Sequence, residues 1–139
     1  MRSWYGPGMT ARAALGSIGG DAASLARWHA LGRVAMGAAL TFAPGPLASA
    51  WTGSASPGAR LLTSALGARD LGIGLGAALA LGRGTGARPW VRAGVLADAT
   101  DLVATLRARR DLPVLGVAGV VVMATGSTLL GLWLQGAVD

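Results

Sequence analysis

Three aspartates and two arginines sit in stretches that are otherwise apolar: Asp70, Asp98, Asp101, Arg33 and Arg69. They fall near the middles of three consecutive apolar segments, so in a bilayer they would lie at similar depth. A charge there costs roughly 2.5–3.5 kcal/mol on insertion scales, and residues that carry this cost are paired or functional. Asp98 and Asp101 lie one helical turn apart, on a stripe with Gly94 and Thr105. Two such carboxylates repel when both are ionised, so they require an arginine between them or a retained proton. On an apolar or amphiphilic molecule, this set could run acid–base chemistry such as an isomerisation, a cyclisation or an epoxide opening. In that scheme Asp98 is the base, Asp101 or Asp70 the acid, and Arg33 and Arg69 orient them. His29, one turn before Arg33, is the candidate substrate-binding residue. Aromatic residues are only 5% of the chain, which argues against a site that stabilises carbocations with π faces.

Four helices are expected to position these groups, as an all-α, four-transmembrane-helix bundle running up-down-up-down. The predicted spans are 24–43, 59–81, 89–107 and 113–136, forming a membrane domain over 24–139, each near the roughly 20 residues needed to cross the hydrocarbon core. Residues 1–23 are expected to be a flexible or surface-lying lead-in. Their first twenty lack the apolar core of a signal peptide. The first span stops at Ala43-Pro44-Gly45-Pro46 and the second at Gly82-Arg83-Gly84-Thr85-Gly86. That glycine run lacks the Lys-Ser/Thr of a phosphate loop and is expected to be a plain turn. Pro89 suits a first helical turn.

Only the fourth span is free of charge. In the second, eight Leu and Ile residues at about −0.5 kcal/mol each come near to offsetting Arg69 and Asp70. The second and third spans are therefore expected to insert as a hairpin with their charges paired. On the second span Ala65, Arg69, Gly72 and Gly76 share a face, with Gly72 and Gly76 as the expected point of close backbone approach. Asp70 lies on a neighbouring face with Gly67 and Gly74. Trp28, Trp51, Trp90 and Trp133 fall near span ends and are expected to be interfacial anchors.

Composition narrows the classes. Of 139 residues, 53% are hydrophobic and 13% charged, against about 25% charged in a soluble domain. All twelve basic residues are Arg and all six acidic ones Asp, as biased codon usage would give. The net charge of +6 is not a nucleic-acid signature, because the arginines flank apolar segments instead of clustering with base-reading partners. With no Cys and one His, thiol chemistry, Cys-ligated metals and multi-His sites are excluded. No cofactor or metal is expected. The Asp98-x-x-Asp101 pair could hold Mg²⁺ with a phosphate substrate, but the longer acidic motif for diphosphate chemistry is missing. Arginines on the two sides of the four-span topology favour a cytoplasmic N-terminus only slightly, in a multi-pass protein of the cell inner membrane.

The run Gly67-Ala68-Arg69-Asp70-Leu71-Gly72-Ile73-Gly74 resembles the Gly-x-Arg-Asp-Leu-x-x-Gly motif of a family of small, uncharacterised, mainly actinobacterial integral membrane proteins. Ala43-Pro44-Gly45 and the aspartates of the third span fit the same pattern. The resemblance covers roughly residues 31–106. It implies a four-helix membrane bundle with Arg69 and Asp70 as its signature pair, and no particular activity. Three functions stay open: binding of, or acid–base chemistry on, an apolar or amphiphilic molecule; a non-catalytic accessory or structural subunit with an ionic lock; and a small proton-coupled transporter. The expected partners are the lipid bilayer, an amphiphilic ligand, and a second copy or a larger membrane complex, with no nucleic acid.

Overall fold

The computed structural model describes the backbone of residues 11–138 and the side chains of residues 21–138. The described chain is all-α, with five helices: α1 (Ala11–Phe42), α2 (Pro44–Thr52), α3 (Pro57–Arg83), α4 (Arg88–Ala108) and α5 (Val114–Leu134). α1 reaches back to Ala11, so residues 11–23 of the expected lead-in are helical, while residues 1–10 lie outside the described residues. The Pro44-Gly45-Pro46 segment does end α1, but it also opens a further helix, α2. Proline lacks only an N–H that a first turn leaves unused, so the same residues that stop one helix start the next. Ser56 caps α3 by accepting from the Ala59 N–H at 3.3 Å. α3 runs through Gly82 and Arg83, past the expected end at 81, and the turn is confined to Gly84–Gly86, in which Gly84 and Gly86 take φ of 63° and 79°, values a side chain would oppose.

The long helices pack antiparallel to their sequence neighbours. Gly37 meets Leu71 and Gly74 meets Val34, Gly76 meets Trp90, and Gly131 meets Val95. α1 makes its most extensive contact with α3 and α4 with α5, whereas α1 and α5 barely touch. At one end, Ala26, Ala80, Ala87, Val91, Leu134 and Val138 form an apolar cluster that joins all four long helices. At the other end α2 lies against α5, with the Trp51 carbonyl close to Gly116.

The close approach between α1 and α3 uses a different glycine pair from the expected one. A Cβ on Gly37 would sit 2.3 Å from the Leu71 nitrogen, one on Gly67 2.6 Å from the Thr41 nitrogen, and one on Gly74 2.8 Å from the Val34 nitrogen. Gly72 meets nothing within 4 Å, and Gly76 accommodates the Trp90 ring instead of a backbone. The buried face of α3 is therefore the one that carries Asp70, flanked by Gly67 and Gly74.

Polarity is distributed in reverse of a water-soluble bundle. Leu61, Leu62, Leu75, Leu79, Leu96, Val114, Leu115, Val122, Leu129 and Trp133 are exposed, while Asp70, Asp98, Thr63 and Thr105 are buried among alanines and glycines. By length and apolarity two helices qualify as membrane spans, α3 with mean hydropathy 1.2 and α5 with 1.9. The expectation of four such spans is thus met for two. α1 and α4 fall short because charged residues interrupt them: Asp21, Arg27 and Arg33 in one, Arg88, Arg92, Asp98, Asp101 and Arg107 in the other.

Replacing Gly37 with Ala forces backbone apart from backbone, and should cost about 1–3 kcal/mol. Gly72→Ala, facing open space, should leave stability unchanged or raise it by up to about 1 kcal/mol through helix propensity. Thermal unfolding in mild detergent checks this; equal midpoints for the two variants would contradict the assigned α1–α3 face.

Candidate functional site

Glycine placement explains why the charges meet. The contacts of Gly67 and Gly74 with α1 bracket Asp70, and on α1 the contacts of Ala30 and Gly37 bracket the level of Arg33. The two backbones are drawn close on both sides of the ion pair. On α4, Gly94 lies 3.3 Å from the Arg33 guanidinium when given a Cβ. A side chain at 94 would press on that guanidinium; glycine lets it lie flat against α4.

All five sequence-predicted charges come together in one ladder of alternating sign. Asp101 accepts two parallel bonds from Arg69, Nη1 to Oδ1 at 2.9 Å and Nη2 to Oδ2 at 2.6 Å. This forked geometry is the strongest that an arginine and a carboxylate make. Arg69 also donates to Asp70 Oδ1 from Nε at 3.1 Å and Nη2 at 3.0 Å. Arg33 Nη1 donates to the same Asp70 oxygen at 3.2 Å. Arg33 Nη2 then pairs with Asp98 Oδ2. The order is Asp101, Arg69, Asp70, Arg33, Asp98.

Ser127 of α5 ends the ladder, and its role was not foreseen from the sequence. Its Oγ lies 2.6 Å from Asp98 Oδ2, 3.1 Å from Arg33 Nη2 and 2.9 Å from His29 Nε2. A hydroxyl has one proton and two lone pairs. Asp98 as carboxylate takes the proton, so Arg33 and His29 both donate into the serine oxygen, and His29 carries a proton on Nε2. One small side chain thereby ties α1 and α4 to α5. The sequence marks it only as a small residue in the most apolar span, which with Gly131 suits self-association or intrachain packing equally.

A cavity of about 540 Å³ adjoins the ladder. This is within the roughly 300–1,000 Å³ of small-molecule sites. It opens where α1 and α5 diverge. Met36, Leu40, Leu47, Leu115, Val120 and Met123 form much of its wall, with His29, Arg33, Asp70, Asp98, Asp101 and Ser127 on its polar side. Gly116 and Ser127 both line it, and the α5 residues between them span about 16 Å. The space is therefore elongated, with charge near one end.

Trp51 of α2 lines the cavity beside Gly116, away from the charges, so it is not simply an interfacial anchor. Its Nε1 is buried without a hydrogen-bond partner among the described residues. Such orphaned donors are uncommon and call for an explanation. Trp28 and Trp133 are exposed, as anchors require, and Trp90 is partly exposed while packing on Gly76.

Among the described residues, no group of three or more His, Asp or Glu is placed to hold a metal ion. Asp98 and Asp101 each face a different arginine, so they do not converge on one cation. Asp101 has both oxygens engaged by Arg69, which leaves it poorly placed to hand a proton to a ligand. No family model matches the chain, and no curated protein or solved structure matches it.

Arg33 is the more deeply buried arginine, its side chain 8% exposed against 29% for Arg69. Removing it leaves the buried Asp98 without an arginine and Asp70 with Arg69 alone. Arg33→Met should therefore destabilise by about 3–5 kcal/mol, and more than Arg69→Met. Arg33→Met with Asp98→Asn should recover part of that loss in a double-mutant cycle of unfolding midpoints. A strictly additive cycle would mean that the pair contributes no coupling.

Proposed function

We propose that this chain is a multi-pass membrane protein that binds an amphiphilic molecule in the cavity between α1 and α5. The observation that carries the proposal is the joining of a largely apolar, 540 Å³ elongated space to a buried charge ladder. The apolar body of the ligand lies along Met36, Leu40, Val120 and Met123, and its polar group meets Asp98, Asp70, His29 and Ser127.

The membrane assignment rests on polarity. Exposed leucines, valines and tryptophans suit lipid, and water would not leave them outside while burying aspartates. In this proposal α1, α3, α4 and α5 all cross the bilayer, and α2 lies at one face. Although α1 and α4 are marginal alone, the ladder offsets much of the insertion cost once the helices are together. The resemblance of the Gly67–Gly74 motif to small bacterial membrane proteins points the same way, towards the inner membrane.

The ladder also favours a second function, an ionic lock in a non-catalytic subunit, because every one of its charges has an opposite partner. A lock accounts for the pairing but not for the adjoining cavity. Acid–base catalysis would use Asp98, the aspartate joined to both His29 and the cavity through Ser127. Binding does not require it.

Two measurements test the proposal. Native mass spectrometry of the protein extracted in mild detergent should find a small amphiphile retained by wild type and lost in Val120→Trp, which fills the cavity away from the charges. Retention of a protein partner and no small molecule would favour the lock. In a membrane-insertion assay, α4 alone should fail and the α3–α4 hairpin should insert. Efficient insertion of isolated α4 would remove the need for charge pairing.

A further inference from the structure

Resting on that proposed binding function, the charge count of the cavity narrows its ligand. Three aspartates and two arginines make the ladder, so with ionised carboxylates and a neutral His29 it carries one unbalanced negative charge. A second cation at His29 would face Arg33 across the same Ser127 oxygen, which works against placing the balancing charge there. Away from the ladder, Arg88 and Arg92 bond Gln135 at one end of the bundle.

The hydrogen bonds give a second, independent indication. Asp70 takes all three of its arginine bonds on Oδ1, and Asp98 takes Arg33 and Ser127 on Oδ2. Among the described residues, Asp70 Oδ2 and Asp98 Oδ1 accept no hydrogen bond, and both aspartates line the cavity. Neither oxygen is fully buried, so both can be reached from the cavity, whose apolar walls offer them no donor. A ligand that brought both positive charge and N–H donors would meet both needs at once.

We infer that the cavity takes a cationic amphiphile: a protonated amine on an elongated apolar body, its ammonium against Asp70 and Asp98 and its tail running towards Trp51. The apolar part faces methionines, leucines and valines over about 16 Å, the length set by α5 between Gly116 and Ser127. An anionic head would instead meet three carboxylates. Like-charge placement at a desolvated site is heavily disfavoured.

The test compares probes of one chain length on the full protein in maltoside detergent: dodecylamine at neutral pH, dodecanol and dodecanoate. Competition read by native mass spectrometry should show dodecylamine bound at least about tenfold more tightly than either of the others. Asp98→Asn, which brings the ladder to neutrality, should erase most of that preference while dodecanol binding persists. Dodecanol or dodecanoate binding as well as the amine overturns the inference yet leaves the binding function standing. An unchanged amine preference in Asp98→Asn, with the fold intact by circular dichroism, also overturns it. If no probe is retained by wild type, or if Val120→Trp retains all of them equally, the binding function itself fails.

Discussion

Everything in this bundle depends on five charges finding one another away from water. Each would be costly alone in an apolar setting, and none can be moved far along its helix without losing a partner. Arg33 is held between Asp70 of α3 and Asp98 of α4, so three helices must meet at one level. The glycines satisfy this requirement. Gly37, Gly67 and Gly74 let α1 and α3 approach within backbone contact on either side of the Arg33–Asp70 pair, and Gly94 clears the guanidinium. Ser127 then brings in the fourth helix through hydrogen bonds alone.

The packing has the character expected when lipid, not water, is the surrounding solvent. Without a hydrophobic driving force between helices, close contact of small residues and polar bonds across helices do the holding. Here the buried set is mainly alanine and glycine with threonine and aspartate, and the large apolar side chains point outward. The same arrangement explains the cavity. α1 is pulled onto α3 and α5 onto α4, each along its own small-residue seam, while α2 is wedged at one end between the two pairs. The side chains left between α1 and α5 are too few to fill the gap.

Much of this was legible in the sequence, and the failures share a cause. The mid-span positions of Arg33, Arg69, Asp70, Asp98 and Asp101 follow from counting residues along apolar segments, and their alternating signs already require pairing. The helix ends at Phe42 and Arg83 follow from proline and glycine chemistry. Helical periodicity states which residues share a face, however, and not which face meets a neighbour. Gly72–Gly76 and Gly67–Gly74 offered equivalent small-residue seams, and only the three-dimensional arrangement separates them. α2 was missed because nine residues opened by Pro-Gly-Pro give too short a pattern for periodicity to register. The place of Trp51 beside the cavity is hidden for the same reason: without α2 it falls in a loop, where an anchor is the natural assignment. Ser127 carries no signal beyond its polarity and small size, since its value lies in partners on two other helices.

A lock and a binding site make different demands on the number of charges. A lock that fixes helix register is best served by balanced pairs, because any excess charge adds desolvation cost without adding specificity. With its carboxylates ionised and His29 neutral, this ladder has one negative charge in excess. The excess lies among three aspartates, of which Asp101 is closed off by a forked arginine. Among the described residues, Asp70 and Asp98 each keep one oxygen free of hydrogen bonds beside an open space. Register alone gives no reason for leaving those oxygens free, or for leaving the α1–α5 gap beside them unfilled. Both features are accounted for together if the ladder positions two acceptors for something that enters from the cavity, with the arginines acting as the rigid frame that holds them there.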